Sequence, residues 1–275
     1  MKNPSLLVAV GCSWVAAKSI DTEPTALTFD WDHVEDPAFV EKHSFSGLLK
    51  QKLGLDQIHF IAASGDSNHG QARKLIDFLE HNKEQYSKIF VLWGITSIYR
   101  WEMYSNTTNQ LEPCILRSKR SKNKGLLEES EYYFKHFWNK ENSLRDLGRQ
   151  ILLVDAYLTM HSIDHLFFNS FNPYTLDNLN ITSITDSTFY KIKESHNDML
   201  SLLCVKHDVT IGSSSVPWLN VLKKTPAEQF HNNTIKNLQA KGLLDCSTAH
   251  PTVRAHADIA SGLHDYIKGH NNERI

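Results

Sequence analysis

Short runs of apolar residues, each bounded by polar or turn-forming residues, recur along the chain. A strand that is covered on both faces of a sheet has this near-continuous apolar pattern. We therefore predict buried strands at Ser5–Val10, Gln57–Ala62, Ile89–Trp93, His165–Phe168 and Val209–Ile211.

Between these runs, apolar residues recur at helical spacing. The spacing predicts helices over Ser44–Leu53, Gly70–His81, Glu128–Ser162 with a break near Asn142, Ser187–Lys206 and Pro251–Lys268. Strands that alternate with helices favour parallel pairing and right-handed crossovers. The expected fold class is α/β: a three-layer α/β/α sandwich with a mainly parallel central sheet of about five strands.

In two stretches, the apolar residues recur at neither helical nor strand spacing. The acidic segment Asp21–Glu41 is predicted to be loop, and Ile95–Lys124 is predicted to be a long irregular insertion. Long loops inside a compact domain are often functional. Residues 1–275 are otherwise interpreted as one domain, since no repeat or low-complexity segment divides them.

Polar residues directly follow three of the predicted strands. The segments are Gly11-Cys12-Ser13-Trp14, Ala63–Asn68 and Gly94–Ser97. Ligands of parallel α/β sheets bind beyond the carboxyl ends of the strands. We therefore expect these three loops, distant in sequence, to meet at one edge of the sheet.

The chain has 275 residues, of which 41% are hydrophobic and 22% charged, with a formal net charge of −2. This composition argues against disorder and gives no electrostatic footprint for nucleic acid or an anionic membrane. The basic run Arg117–Lys124 is interpreted as a solvated loop rather than a binding patch. The apolar run Leu6–Val10 is short for a signal peptide, and no stretch approaches the ~20 residues of a membrane span. A cytoplasmic protein is the expectation.

The four cysteines are scattered, at Cys12, Cys114, Cys204 and Cys246, without a CxxC pair. This pattern favours reduced thiols over a zinc site or a disulfide framework. Asp66 and His69 lack a third ligand nearby, so no metal site and no cofactor are predicted.

Four segments together resemble the SGNH (GDSL-like) hydrolase superfamily. They are Gly11-Cys12-Ser13-Trp14, Ala63–Asn68, Gly94-Ile95-Thr96-Ser97 and Asp245–Pro251, the last of which is followed by His256, Ala257 and Ala260. They occur in the family's order, and each follows the expected element. The resemblance implies a flavodoxin-like fold and a catalytic triad with Ser13 as nucleophile, His250 as base and Asp245 as the residue that orients the base. It also implies an oxyanion hole that includes Gly65.

The chain departs from the family pattern at two places. Thr96 occupies the position of the family asparagine, whose amide helps to bind the oxyanion, and losing such a donor can cost ~10²–10³ in rate. Asn68 is an alternative donor if its loop folds inward. Asp245 lies five residues before His250, whereas the family pattern Asp-x-x-His has a shorter spacing, so this loop must bulge.

Two functions of different classes remain open at this point. The first is a serine hydrolase that cleaves an O-acyl ester of a small molecule or glycan, because a serine hydroxyl needs an adjacent base such as histidine. The second is a binding or structural domain that keeps the SGNH fold without turnover, for example in a virion. The residues have structural alternatives too: Ser13 as a turn or cap residue, His250 as a helix cap, and Cys12 as a competing nucleophile.

Overall fold

The structure is a computed structural model that describes residues 3–18, 20, 36–115, 124–170, 172, 174–184, 188–190, 198–210, 227–245 and 249–271. It contains six strands in the described residues, namely β1 (Ser5–Gly11), β2 (Gln57–Ala62), β3 (Lys88–Ile95), β4 (Arg100–Ser105), β5 (Gln110–Ile115) and β6 (Asp164–Asn169). Four of them form a parallel sheet in the order β2-β1-β3-β6. The other two form an antiparallel hairpin, β4-β5.

Eight helices lie in the described residues. They are α1 (Pro37–His43), α2 (Phe45–Lys52), α3 (Asn68–Asn82), α4 (Lys124–His136), α5 (Lys140–Met160), α6 (Met199–Lys206), α7 (Ala227–Ala240) and α8 (Val253–Asn271). Residues of α2, α6 and α8 pack against one face of the parallel sheet, and residues of α3 and α5 pack against the other. The predicted three-layer α/β/α architecture is therefore confirmed.

The two cores follow from the alternation of side chains along each strand. In β1, Leu7 and Ala9 face the α2/α6/α8 layer, whereas Leu6, Val8 and Val10 face the α3/α5 layer. Because both faces are covered, every one of these residues is buried. This is why the strands appear in the sequence as continuous apolar runs.

The predicted fifth strand, Val209–Ile211, is wrong in its described part. Val209 donates its N–H to Cys204 O at 2.9 Å, and Asp208 has φ +52°, so these residues close the last turn of α6 instead. Ile211 lies outside the described residues. A run this short contains too few apolar residues to distinguish a strand from a helix end.

The predicted helix Ser187–Lys206 is also wrong in its first part. Thr188–Tyr190 runs beside β6: Phe167 N donates to Thr188 O, and Tyr190 N donates to Phe167 O, each at 2.8 Å. The helix begins only at Met199, where the Asp198 carboxylate accepts the Ser201 N–H at 2.8 Å. Pairing with the free edge of β6 outweighs local helical propensity here.

The segment predicted as loop, Asp21–Glu41, contains the start of α1. Asp36 accepts the Ala38 N–H at 3.0 Å and Pro37 occupies the first helical turn, which are both helix-start signals. Residues 21–35 lie outside the described residues.

The insertion Ile95–Lys124 is more regular than predicted, since it contains the β4-β5 hairpin. Trp101 pairs with Cys114 across the hairpin, and both side chains are buried against α4 residues such as Phe134. Glu102 fixes the hairpin to α3 through an ion pair with Arg73 at 3.0 Å. Residues 116–123, with most of the basic run, lie outside the described residues.

The long predicted helix over Glu128–Ser162 is broken, as expected, although slightly earlier than Asn142. The break falls between α4 and α5, and Asn139 caps α5 by accepting the Asn142 N–H at 3.0 Å. The final helix begins at Val253, so Pro251 precedes the first turn instead of occupying it. Pro251 bridges Leu244 in an antiparallel pair, a tertiary contact that fixes its position.

Candidate active site

The turn that carries Ser13 folds back over the ends of two central strands. A Cβ on Gly11 would lie 2.3 Å from Val15 Cγ2, and a Cβ on Gly94 would lie 2.7 Å from the same atom. Only glycine at both positions leaves room for this close approach. The turn therefore sits on the carboxyl ends of β1 and β3, on the face covered by α2, α6 and α8.

Ser13 itself lies in a tight, hydrogen-bonded turn. Ala16 N donates to Cys12 O and Lys18 N donates to Ser13 O, both at 2.9 Å. The Ser13 side chain is nearly buried, with 7% exposure. Within the described part of the chain, its backbone N–H donates to no carbonyl group, which leaves that donor available at the sheet edge.

Gly65 occupies the turn that follows β2. Asp66 N donates to Ala63 O at 3.2 Å, which closes a four-residue turn, and Gly65 at its third position has φ +80°. A positive φ there is the type II pattern and favours glycine. The turn alone thus explains why the residue is glycine. Its N–H donates to no backbone carbonyl in the described residues.

Asn68 joins the second and third loops. Its Nδ2 donates to Thr96 O at 3.0 Å, and its Oδ1 accepts the Thr96 N–H at 2.9 Å. Both residues are buried, at 3% and 0% exposure. The carboxamide therefore clamps the Thr96 backbone, and the structure brings together two residues that are 28 positions apart.

Asp245 and His250 close a short loop in front of α8. Asp245 N donates to His250 O at 2.8 Å, and Ala249 N donates to Asp245 O at 3.1 Å. Ala249 adopts φ +57°, which turns the backbone back on itself. Both side chains are largely buried, at 6% and 8% exposure.

A second histidine lies in the first turns of α8. His256 is fully buried, stacks on Phe45 with ring centroids 5.5 Å apart, and accepts the Phe45 N–H on Nδ1 at 3.1 Å. Burial, together with a smaller contribution from the charge of His250, lowers the pKa of His256 to about 3. His256 is therefore neutral in the folded protein near pH 7, with its proton on Nε2.

A fourth loop, which was not predicted from the sequence, follows β6 at the same edge of the sheet. Ser170 and Asn172 follow β6 and are buried, at 0% and 1% exposure. Ser170 N still donates to Ile95 O at 3.0 Å, and Asn172 Nδ2 donates to the Tyr174 hydroxyl at 3.1 Å. The signal was present in the sequence, because these polar residues directly follow an apolar run.

Two further candidate residues from the sequence, Cys12 and Asp66, have surroundings that differ from that of Ser13. Cys12 is completely buried, so its thiol is less accessible than the neighbouring Ser13 hydroxyl. Asp66 accepts the Lys74 ammonium at 2.9 Å and the Ser67 N–H at 3.0 Å. No group of three or more potential metal ligands occurs among the described residues.

Comparison with known protein families identifies the chain. A family model described as "Family of unknown function (DUF6071)" matches residues 31–190, more than half of the 275 residues. The chain belongs to the DUF6071 family. No match is found among the curated proteins.

Several solved structures are similar to this DUF6071 chain. A protein assigned to the lipolytic G-D-S-L family from Desulfitobacterium hafniense has 9% identity and a TM-score of 0.40, covering 96% of this chain and 99% of its own. The psychrotrophic esterase EstA from Pseudoalteromonas sp. has 13% identity and a TM-score of 0.40, covering 98% and 99%. The acetylxylan esterase Axe2 from Geobacillus stearothermophilus has 11% identity and a TM-score of 0.34, covering 97% and 94%.

In the part of the DUF6071 chain that the structure describes, no helix has the length and apolar character needed to cross a membrane.

Proposed function

We propose that this protein is a serine hydrolase that cleaves an O-acyl ester through Ser13 and His250. The observation that carries the proposal is the packing of two distant segments on one core. The Ser13 turn (through Cys12 and Val15) and the start of α8 (through Ala255) belong to the same buried cluster, against which Ala249 also packs. This supports a site at the carboxyl edge of the sheet, where ligands of such folds bind.

In the proposed reaction, the Ser13 hydroxyl oxygen attacks the ester carbonyl while His250 accepts its proton. The carbonyl oxygen becomes an oxyanion and receives hydrogen bonds from the N–H groups of Ser13 and Gly65 and from the Thr96 hydroxyl. The tetrahedral intermediate then expels the alcohol, which takes the proton from His250. Water attacks the acyl-enzyme by the same route, with His250 again as base, and releases the acid and free Ser13.

Asn68 has a different proposed role from the one the sequence suggested. Since its carboxamide binds the Thr96 backbone through both of its ends, it supports the oxyanion hole by holding Thr96 in place. Asp245 is proposed to orient His250, as the resemblance to SGNH hydrolases implies. The bond from the Asp245 N–H to the His250 carbonyl group keeps the two residues close together in the chain fold.

The proposed substrate is a small-molecule or glycan ester, and the proposed location is the cytoplasm. Cys12 is fully buried and Cys114 is nearly so, and neither thiol forms a disulfide in the structure. Reduced thiols are typical of a reducing compartment such as the cytoplasm. Burial raises the pKa of Cys114 to about 11, which keeps that thiol unreactive.

Hydrolysis of p-nitrophenyl acetate by the full chain tests this proposal. Ser13→Ala and His250→Gln should each reduce kcat to the background rate, because the nucleophile and its base act as a unit. Ser64→Ala removes an exposed serine from the neighbouring loop and should leave kcat unchanged. Equal rates for the wild type and Ser13→Ala would instead favour the non-catalytic binding domain.

A further inference from the structure

Two buried hydroxyl groups at the carboxyl edge have no hydrogen-bond partner in the part of the chain that the structure describes. They are Thr96 Oγ1 and Ser170 Oγ, and both residues have 0% exposure. Buried polar atoms are nearly always paired in native proteins. An unpaired group at a site is therefore a place where a ligand atom or an ordered water completes the bonding.

The two hydroxyl-bearing residues are neighbours across the end of the sheet. The last register pair between β3 and β6 is Ile95 with Asn169, and the Ser170 N–H continues this ladder by donating to Ile95 O at 3.0 Å. Thr96 and Ser170 thus directly follow the ends of two adjacent strands, which lie ~5 Å apart.

Both side chains belong to the face that carries the Ser13 turn. Ser170 Oγ lies 2.8 Å from where a Cβ on Gly94 would be, and Val15 Cγ2 lies 2.7 Å from the same point. The alternation of side chains along β3, continued by one residue past Ile95, places Thr96 on the same side as Gly94. The turn that holds Ser13 therefore covers the strand ends beside these two hydroxyls.

The proposed oxyanion hole needs a hydrogen-bond donor in addition to Thr96. Thr96 stands at the position of an amide donor, and its hydroxyl can donate only one hydrogen bond. The Asn68 amide is already bound to Thr96 O at 3.0 Å. An oxyanion hole consists of donors that are held in place and have no acceptor until the reaction supplies one.

We infer that Ser170 is a further substrate-contacting residue, whose hydroxyl and that of Thr96 donate together to the ester carbonyl oxygen as it becomes an oxyanion. The inference rests on the proposed function and adds a residue to that site. Only hydrogen bonds form in this step, and the proton of each hydroxyl stays on its own oxygen.

Steady-state hydrolysis of p-nitrophenyl acetate by Ser170→Ala, Ser170→Cys and Ser46→Ala tests the inference. Both Ser170 variants should lower kcat by roughly 10- to 100-fold with little change in KM, because the lost bond forms mainly in the transition state. The cysteine variant keeps the volume of the side chain but supplies only a weak donor. Ser46 is a matched control: it has 0% exposure, its hydroxyl has no partner in the described residues, and it lies on α2. Its alanine variant should keep the wild-type kcat.

The possible results distinguish a failure of the Ser170 inference from a failure of the proposed hydrolase function. A wild-type kcat in both Ser170 variants overturns the inference, and the hydroxyl then binds ordered water only. An equal loss in Ser46→Ala overturns it too, since buried hydroxyls would then act through stability alone. If the wild type hydrolyses no faster than Ser13→Ala, the proposed function fails and this inference fails with it.

Discussion

Among single residues, His250 matters most for the proposed chemistry, and the loop before α8 positions it. The backbone of Asp245 and His250 is fixed by hydrogen bonds of 2.8 and 3.1 Å that close this loop, and both side chains are largely buried. A carboxylate that contacts the imidazole would fix its tautomer and stabilise the imidazolium that forms when Ser13 is deprotonated.

We expect Asp245→Asn to reduce kcat for p-nitrophenyl acetate strongly, by up to about 10⁴-fold, while the protein stays folded. An amide in place of the carboxylate removes the tautomer preference of the imidazole. Asp265→Asn is the matched control, because that side chain is 80% exposed on α8. Unchanged activity in Asp245→Asn would exclude the carboxylate from the site and assign the orienting role to a backbone carbonyl group.

At the scale of elements, the sheet edge depends on close approach between the Ser13 turn and the strands. A Cβ on Gly94 would lie 2.7 Å from both Phe168 Cζ and Val15 Cγ2, and 2.8 Å from Ser170 Oγ. Three neighbours from two segments, the end of β6 and the Ser13 turn, would therefore have to move together.

Gly94→Ala should lower the free energy of unfolding by about 1–3 kcal/mol, the usual cost of overpacking a core. Urea denaturation followed by circular dichroism would measure it. Gly269→Ala in α8 is the control, because a Cβ there meets no atom within 4 Å. That variant should be neutral or stabilised by up to ~1 kcal/mol, since alanine favours a helix interior. Tolerance of Gly94→Ala would show that the turn packs less closely than described.

The elements also show what the sequence can and cannot predict. The sequence predicts the strands β1, β2, β3 and β6 within two residues of their ends. Burial on both faces gives β1, β3 and β6 nearly continuous apolar runs, whereas the edge strand β2 includes the exposed residues Gln57 and His59. The local pattern predicts helix for Thr188–Tyr190, because the pairing of this segment with β6 is a tertiary contact. The Asn68–Thr96 clamp was missed for the same reason: it depends on how two loops meet, which no local pattern encodes.

At the scale of the whole molecule, His256 links α8 to α2 and couples stability to pH. Its pKa is lowered from 6.5 to about 3, first by burial and then by the charge of His250. The unfolded chain therefore binds a proton below pH 6.5 that the folded chain does not. The contribution of His256 to the free energy of unfolding is therefore largest above pH 6.5 and decreases as the pH falls towards 3.

His256→Gln should flatten this dependence between pH 6.5 and 4, because glutamine carries no charge and still offers an oxygen to the Phe45 N–H. Urea midpoints measured across that range would give the slope for each protein. His136→Gln, on the exposed side of α4, should keep the wild-type slope. A His256→Gln variant with the wild-type slope would show that His256 is not held neutral in the fold.

The proposed function requires Ser13 to be an activated nucleophile. Incubation of the full chain with a fluorophosphonate, followed by intact and peptide mass spectrometry, tests this requirement, because such reagents modify a serine hydroxyl that a base has activated. We predict one adduct per chain, located on Ser13 and absent from Ser13→Ala and His250→Gln. No adduct on the wild type, or an adduct that persists in Ser13→Ala, would contradict the account.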